Sequence, residues 1–112
     1  MLYQSTRNKD MTVESAEAIK LGISPEGGLF VPVSKPKLTA DDINKLAGVN
    51  YNARAIEILK LFLTDFTSDE IKDCVDKAYN KNKFETESIA PIYKLNDEVY
   101  FLELWHGPTC AF

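Results

Sequence analysis

The first residue to weigh for chemistry is His106, the single histidine of the chain, which stands beside the single tryptophan, Trp105, in the run "FLELWHGPTCAF" of residues 101–112. One imidazole cannot complete a Ser-His-Asp relay, and it joins a metal site only alongside cysteines or carboxylates. Glu103 lies three residues earlier. On an extended strand that spacing sends the two side chains to opposite faces, so no Glu–His pair is expected. On residue types alone, His106 reads as a hydrogen-bonded structural residue. "HGPT" is turn chemistry: Gly107 admits unusual backbone angles, Pro108 removes an amide donor, and Thr109 offers a hydroxyl to the backbone or to a ligand.

The remaining candidates carry less. Cys74 and Cys110 show no metal-ligand spacing, so no metal site is expected, and the two read as reduced thiols. "ISPEGGLF" lacks the Lys-Ser/Thr of a phosphate loop and precedes a strand, whereas the dinucleotide fingerprint precedes a helix. Arg7 and Lys9 in "STRNK" read as surface charge, and "DEIKDCVDK" as a solvated helix face. The formal net charge of −4 argues against non-specific nucleic-acid binding, which needs a surplus of cations. No run is apolar and long enough to span a bilayer, and the opening residues lack the pattern of a signal peptide. A cytoplasmic protein with neither nucleic-acid nor membrane partners is expected.

Elements must position these residues. With 45% hydrophobic and 27% charged residues, the 112-residue chain reads as globular. A short strand is expected over 2–6. A helix is expected next from Thr12 to Leu21, stopped by Gly22, and "SPEGG" makes a turn in which both glycines are free to take φ > 0. "LFVP" is a short strand. Thr39 and Asn50 are expected to cap helices, with Asp41 and Asp42 in the first turn of the earlier one. The helix in "YNARAIEILKLFL" places Ala55, Ile58, Leu59, Phe62 and Leu63 at helical spacing and is the candidate central core helix. "TSDE" is a capping box, Thr67 with Glu70, and the helix after it sets Ile71, Val75, Ala78 and Tyr79 on one face. "PIYKL" and "VYFLEL" around Asn96-Asp97 predict a hairpin, with its second strand over residues 99–104.

Three separated segments, in order along the whole chain, resemble one family. "LELWHGPTCAF" is similar to the stretch "LELFHGPTxAFKD" of threonine synthases, "ESAEAIKLGISPEGGLFVP" to their "SFxEAIxxGLAxDGGLYVP", and "AYNKNKF" followed by "IAPIYKL" to their approach to the cofactor domain. "YQSTRNKD" resembles their opening strand and turn. Ser24-Pro25-Glu26, Trp105 and Cys110 depart mildly from that pattern. The resemblance implies an α+β fold: a small helix-rich N-terminal domain with short strands over residues 1–90, then a hairpin at 91–112 leading into a fold-type II pyridoxal-phosphate domain. It implies a parent enzyme, a carbon-oxygen lyase acting on phosphates, that converts O-phosphohomoserine and water to threonine and phosphate with pyridoxal 5'-phosphate. The Schiff-base lysine is expected immediately after Phe112, so no catalytic residue is expected in these 112 residues, which are expected to be inactive alone. Phe112 is a candidate to stack on the cofactor, Thr109 a candidate to bind it, and His106 a candidate to line the substrate site or to brace the turn. The partners implied are O-phosphohomoserine and the protein's own catalytic domain. Two other readings stand beside this one: an interaction module that pairs through its C-terminal strand, and a homologue acting on another phosphorylated hydroxy-amino acid.

Overall fold

The computed structural model describes residues 1–109 and divides the chain into two compact units, Met1–Asp73 and a second that begins at Cys74. In order, the elements are β1 (Leu2–Ser5), β2 (Thr12–Glu14), α1 (Ser15–Leu21), β3 (Phe30–Pro32), α2 (Ala40–Ala47), α3 (Tyr51–Phe62), α4 (Ser68–Ala78), β4 (Ile92–Lys94) and β5 (Tyr100–Leu102). The expected α+β class is the observed one.

In the first unit β1 is the middle strand of an antiparallel sheet ordered β2-β1-β3. Gln4 faces Thr12 on one side and Val31 on the other. Residues 12–14 are therefore not the first turn of a helix, as the sequence predicts. Thr12 and Val13 are β-branched and pair with a strand some ten residues back, a partner that local periodicity does not register. The helix begins at Ser15 and is capped from a distance. Glu14, at its N-cap, makes no side-chain cap bond. Instead the Asp65 carboxylate accepts the Ala16 N–H at 2.8 Å and the hydroxyl of buried Ser15. Burial first, and then the Asp65 charge, push the Tyr3 phenol up from its ordinary pKa. That phenol donates to the Phe62 carbonyl at 3.2 Å, which ties β1 to the end of α3.

The "SPEGG" turn uses its glycines for two different reasons. Gly27 has φ +82°, the left-handed region that favours glycine. Gly28 has no positive φ; it is required by close approach. Ser5 and Ser24 are both buried, with hydroxyl oxygens 3.0 Å apart, and Ser24 Oγ accepts the Gly28 N–H at 2.9 Å. A Cβ on Gly28 would collide with Ser5 Oγ and stand 3.0 Å from Ser24 Oγ. Ser5 Oγ also accepts the Arg7 amide at 3.2 Å, so one pair of hydroxyls joins the end of β1 to the turn before β3.

The three later helices start where their caps stand. Thr39 and Asp42 form a reciprocal capping box at α2, with bonds of 3.2 and 3.0 Å. Asn50 Oδ1 accepts from Ala53 at α3, 2.9 Å, and Thr67 and Glu70 repeat the box at α4. Arg54 closes the corner between α2 and α3: its guanidinium donates to the carbonyls of Leu46 and Val49 at 2.9 and 3.1 Å, where α2 leaves carbonyls without helical partners. No residue of α3 is fully buried, contrary to its expected place as the central core helix. Among the described residues the buried apolar side chains are Ala18, Ile71 and Val75, and the last two belong to α4.

Two consequences can be measured. Gly28→Ala should lower unfolding stability by about 1–3 kcal/mol through the clash with the two serines; urea denaturation showing no loss would contradict the close approach. The second concerns acid. Hydrogen bonds from the Thr39 hydroxyl and then its amide hold Asp42 below its ordinary pKa, and the Thr67 amide and then its hydroxyl do so for Glu70. Stability from a lowered carboxyl is present above the unfolded pKa and is lost as pH falls through the folded one. Below roughly pH 4 the protection of the Thr39 and Thr67 amides, which donate to these carboxylates, should drop, while that of Ala53, capped by neutral Asn50, should hold. Equal loss at all three in amide exchange would count against the boxes.

Candidate functional site

The candidate site belongs to the second unit and is built from a hairpin. β4 and β5 pair antiparallel, Ile92 with Leu102 and Lys94 with Tyr100. Asn96 sets the turn, its Oδ1 accepting the amides of Glu98 and Val99 at 2.9 Å each. One further bond, from the Glu103 amide to the Pro91 carbonyl at 2.9 Å, extends the pairing. Beyond Glu103 the chain leaves the ladder. All six residues of β4 and β5 are exposed, Ile92 at 68% and Tyr100 at 56%. Successive strand residues point to opposite faces, so both faces of this apolar hairpin are bare.

The strand ends at Leu102, two residues earlier than the sequence predicts, and this changes the chemistry of the residues after it. Residues 103–106 lie beyond the strand, so the period-two alternation of a paired strand is not imposed on Glu103 and His106. Glu103 Oε2 lies 2.7 Å from His106 Nε2. The pair that strand spacing would keep apart is therefore formed. Its side chains are 25% and 14% exposed, so the contact is screened less than a surface ion pair. On the other side of the ring, Nδ1 is buried and has no hydrogen-bond partner, and Glu85 Oε2 stands 3.9 Å from it.

Two more contacts fasten the turn. The Glu85 amide donates to the His106 carbonyl at 3.2 Å. The Phe84 ring lies so close over Gly107 that a Cβ there would come within 3.2 Å of it. Phe84 in turn stacks obliquely on Tyr79, with centroids 6.1 Å apart. Sequence reasoning gives no site role to Glu85 or to Phe84, which closes the run "AYNKNKF"; both sit in an irregular segment about twenty residues away. Glu103 has a signal, its spacing, but reading it requires knowing where β5 stops. Thr109 is exposed at the end of this turn. Phe112 and Cys110 lie outside the described residues.

The arrangement suits bracing better than anion binding. Two carboxylates, Glu103 and Glu85, flank the one imidazole. A phosphate placed there would face like charge. The described residues around His106 therefore do not build a cradle for pyridoxal phosphate. Among the described residues no group of three metal-ligating side chains comes together, and no helix is long and apolar enough to cross a membrane. A groove of about 590 Å³ along α2 and α3, lined by Leu38, Leu46, Val49 and Ile56, belongs to the first unit and includes none of these residues.

Known proteins are similar to this chain in both sequence and backbone. Residues 2–79 match the family described as "Threonine synthase N terminus". The chain is 35% identical over 119 aligned residues to the threonine synthase of Methylobacillus glycogenes, covering 100% of this chain and 25% of that protein. It is 38% identical over 117 residues to the threonine synthase of Corynebacterium glutamicum, covering 100% and 24%. Its backbone matches the crystal structure of a PLP-bound threonine synthase from Brucella melitensis with a TM-score of 0.86 at 31% identity, over 100% of this chain and 24% of that one. The chain spans about a quarter of the length of these relatives.

The Phe84 contact carries a test. Phe84→Ala should speed exchange of the Glu85 amide by about tenfold, the equivalent of one hydrogen bond lost, and leave the amides of β1 unchanged. An unaltered Glu85 amide would mean that the ring does not hold the turn.

Proposed function

This chain belongs to the threonine synthase family, and on that premise we propose that it is the N-terminal part of an enzyme that converts O-phosphohomoserine and water to threonine and inorganic phosphate. The observation that carries the reading is the match along the full chain to threonine synthases, at up to 38% identity among the relatives described. The hairpin supports it physically. Apolar side chains bare on both faces of a two-stranded sheet suit a surface that the remainder of such an enzyme would cover.

In this reading pyridoxal phosphate, when bound, supplies the electron sink that lets the substrate lose its phosphate and take up water. The residues of this chain do other work. Thr109 presents its hydroxyl at the edge of the cofactor site, and Phe112 is the residue proposed to lie against the cofactor ring. The hairpin and the turn after it carry that edge to the catalytic domain, which is the proposed partner and which supplies the catalytic lysine and the phosphate contacts. The domain boundary is proposed near residue 90, and the protein is placed in the cytoplasm with reduced thiols. Excluding water from the reacting centre then falls partly to the apolar residues around the hairpin.

The test is turnover. A protein comprising these residues and the remaining length of its relatives should release threonine and phosphate in equal amounts from O-phosphohomoserine, and should lose that activity when pyridoxal phosphate is removed. The 112-residue chain alone should show no turnover above the uncatalysed rate. Turnover by the isolated chain, or indifference of the longer protein to O-phosphohomoserine, would refute the proposal.

A further inference from the structure

We infer that His106 is a positioning residue for the turn that bears Thr109, acting through Glu103 and Glu85, and that it is not a ligand of the substrate phosphate. The inference rests on the functional reading above and narrows the two roles left open for His106 to one.

Four observations carry it. First, Nε2 is committed: at 2.7 Å from Glu103 Oε2 it is the nitrogen that donates, because an ionised carboxylate can only accept. Second, the other nitrogen is buried without a hydrogen-bond partner. In the neutral ring it carries the lone pair, so it has no proton to offer a phosphate oxygen. Third, the charged groups on both sides of the ring are carboxylates, Glu103 at Nε2 and Glu85 at 3.9 Å from Nδ1. Protonating the ring to make Nδ1 a donor would aim it at Glu85. Fourth, the backbone of the same residue is tied, its carbonyl accepting the Glu85 amide, while Phe84 closes over Gly107. Side chain and backbone of His106 are thus both held by groups that do not belong to a ligand. These contacts fix the exit of the chain into residues 107–109. Misplacing a site edge by about 1 Å can cost on the order of a hundredfold in rate, so a brace of this kind has a catalytic consequence without touching substrate.

The first arm of the test uses the 112-residue chain. His106 is its single histidine, so ¹⁵N-histidine labelling gives one imidazole to read. Above pH 8 the proton should reside on Nε2, and Glu103→Leu should shift the ring toward the mixed tautomers of free imidazole. Inorganic phosphate should leave both ring nitrogens unmoved. A proton on Nδ1, indifference to Glu103→Leu, or a phosphate-dependent shift would overturn the inference while leaving the family reading intact.

The second arm uses the longer protein, whose unaltered form is first assayed with O-phosphohomoserine. His106→Ala and Glu103→Leu should each lower kcat by about tenfold or more, with KM and inhibition by inorganic phosphate changed less than about twofold. The double variant should be no worse than the more damaged single, since the two act as one unit. His106→Gln, whose amide can still donate to Glu103, should recover part of the loss. A raised KM with weakened phosphate inhibition and kcat intact would make His106 a phosphate ligand and overturn the inference. If the unaltered protein has no turnover, the proposed function fails, and the tautomer and phosphate results of the first arm decide the role of His106.

Discussion

Strand β1 is the constraint on which the first unit depends. It is paired on both edges, and the side chains along it reach the other elements: Tyr3 to the end of α3, and Ser5 to the turn before β3. Remove its register and the Ser5–Ser24 contact is lost with it. The Gly28 amide then loses its place against Ser24, and the entry into β3 is no longer fixed. Polar groups carry much of this positioning because three of the most buried side chains are serines, Ser5, Ser15 and Ser24. A buried hydroxyl is costly unless satisfied, and these are satisfied by each other, by Asp65 and by backbone. Such ties specify geometry more than they add stability.

The same economy explains the helices. Isolated helices of eight to twelve residues are marginal in water, and the buried apolar side chains are few. α2, α3 and α4 each begin at a side-chain cap or capping box, and Arg54 satisfies carbonyls where α2 ends. These local devices define where each element starts. They do not cover the large apolar side chains left exposed on the β4–β5 hairpin, and a surface of that kind on a short two-stranded sheet calls for a covering layer. The family relation and the exposure therefore both support the proposal that the chain is one part of a larger folded body.

How much of the fold is legible in the sequence depends on the range of each interaction. Thr39, Asn50 and Thr67 are readable because a cap and its target lie three residues apart. The hairpin is readable from alternation and Asn96. Thr12 and Val13 read as helix because their strand partner is remote in sequence, and the start of α1 is misplaced with them. Gly28 looks like a conformational glycine and is a packing one, a distinction that only the position of Ser5 reveals. At the site, His106, Gly107 and Thr109 stand out as types. The pairing with Glu103 is hidden when strand periodicity is carried two residues past the true end of β5. Glu85 and Phe84 approach from an irregular segment whose path has no periodic signal. The family resemblance is legible because motif residues repeat in order regardless of how they fold.

On the proposed reading, the bare hairpin is a surface that the complete enzyme covers. Hydrogen exchange at the amides of Tyr93, Tyr100 and Phe101 tests it most directly, compared between the 112-residue chain and the longer protein under identical conditions. Protection rising by several orders of magnitude in the longer protein, toward its global stability, is the expected result. Identical exchange in both would mean that the hairpin stays open to solvent, and the account of this chain as one piece of a larger catalytic body would be wrong.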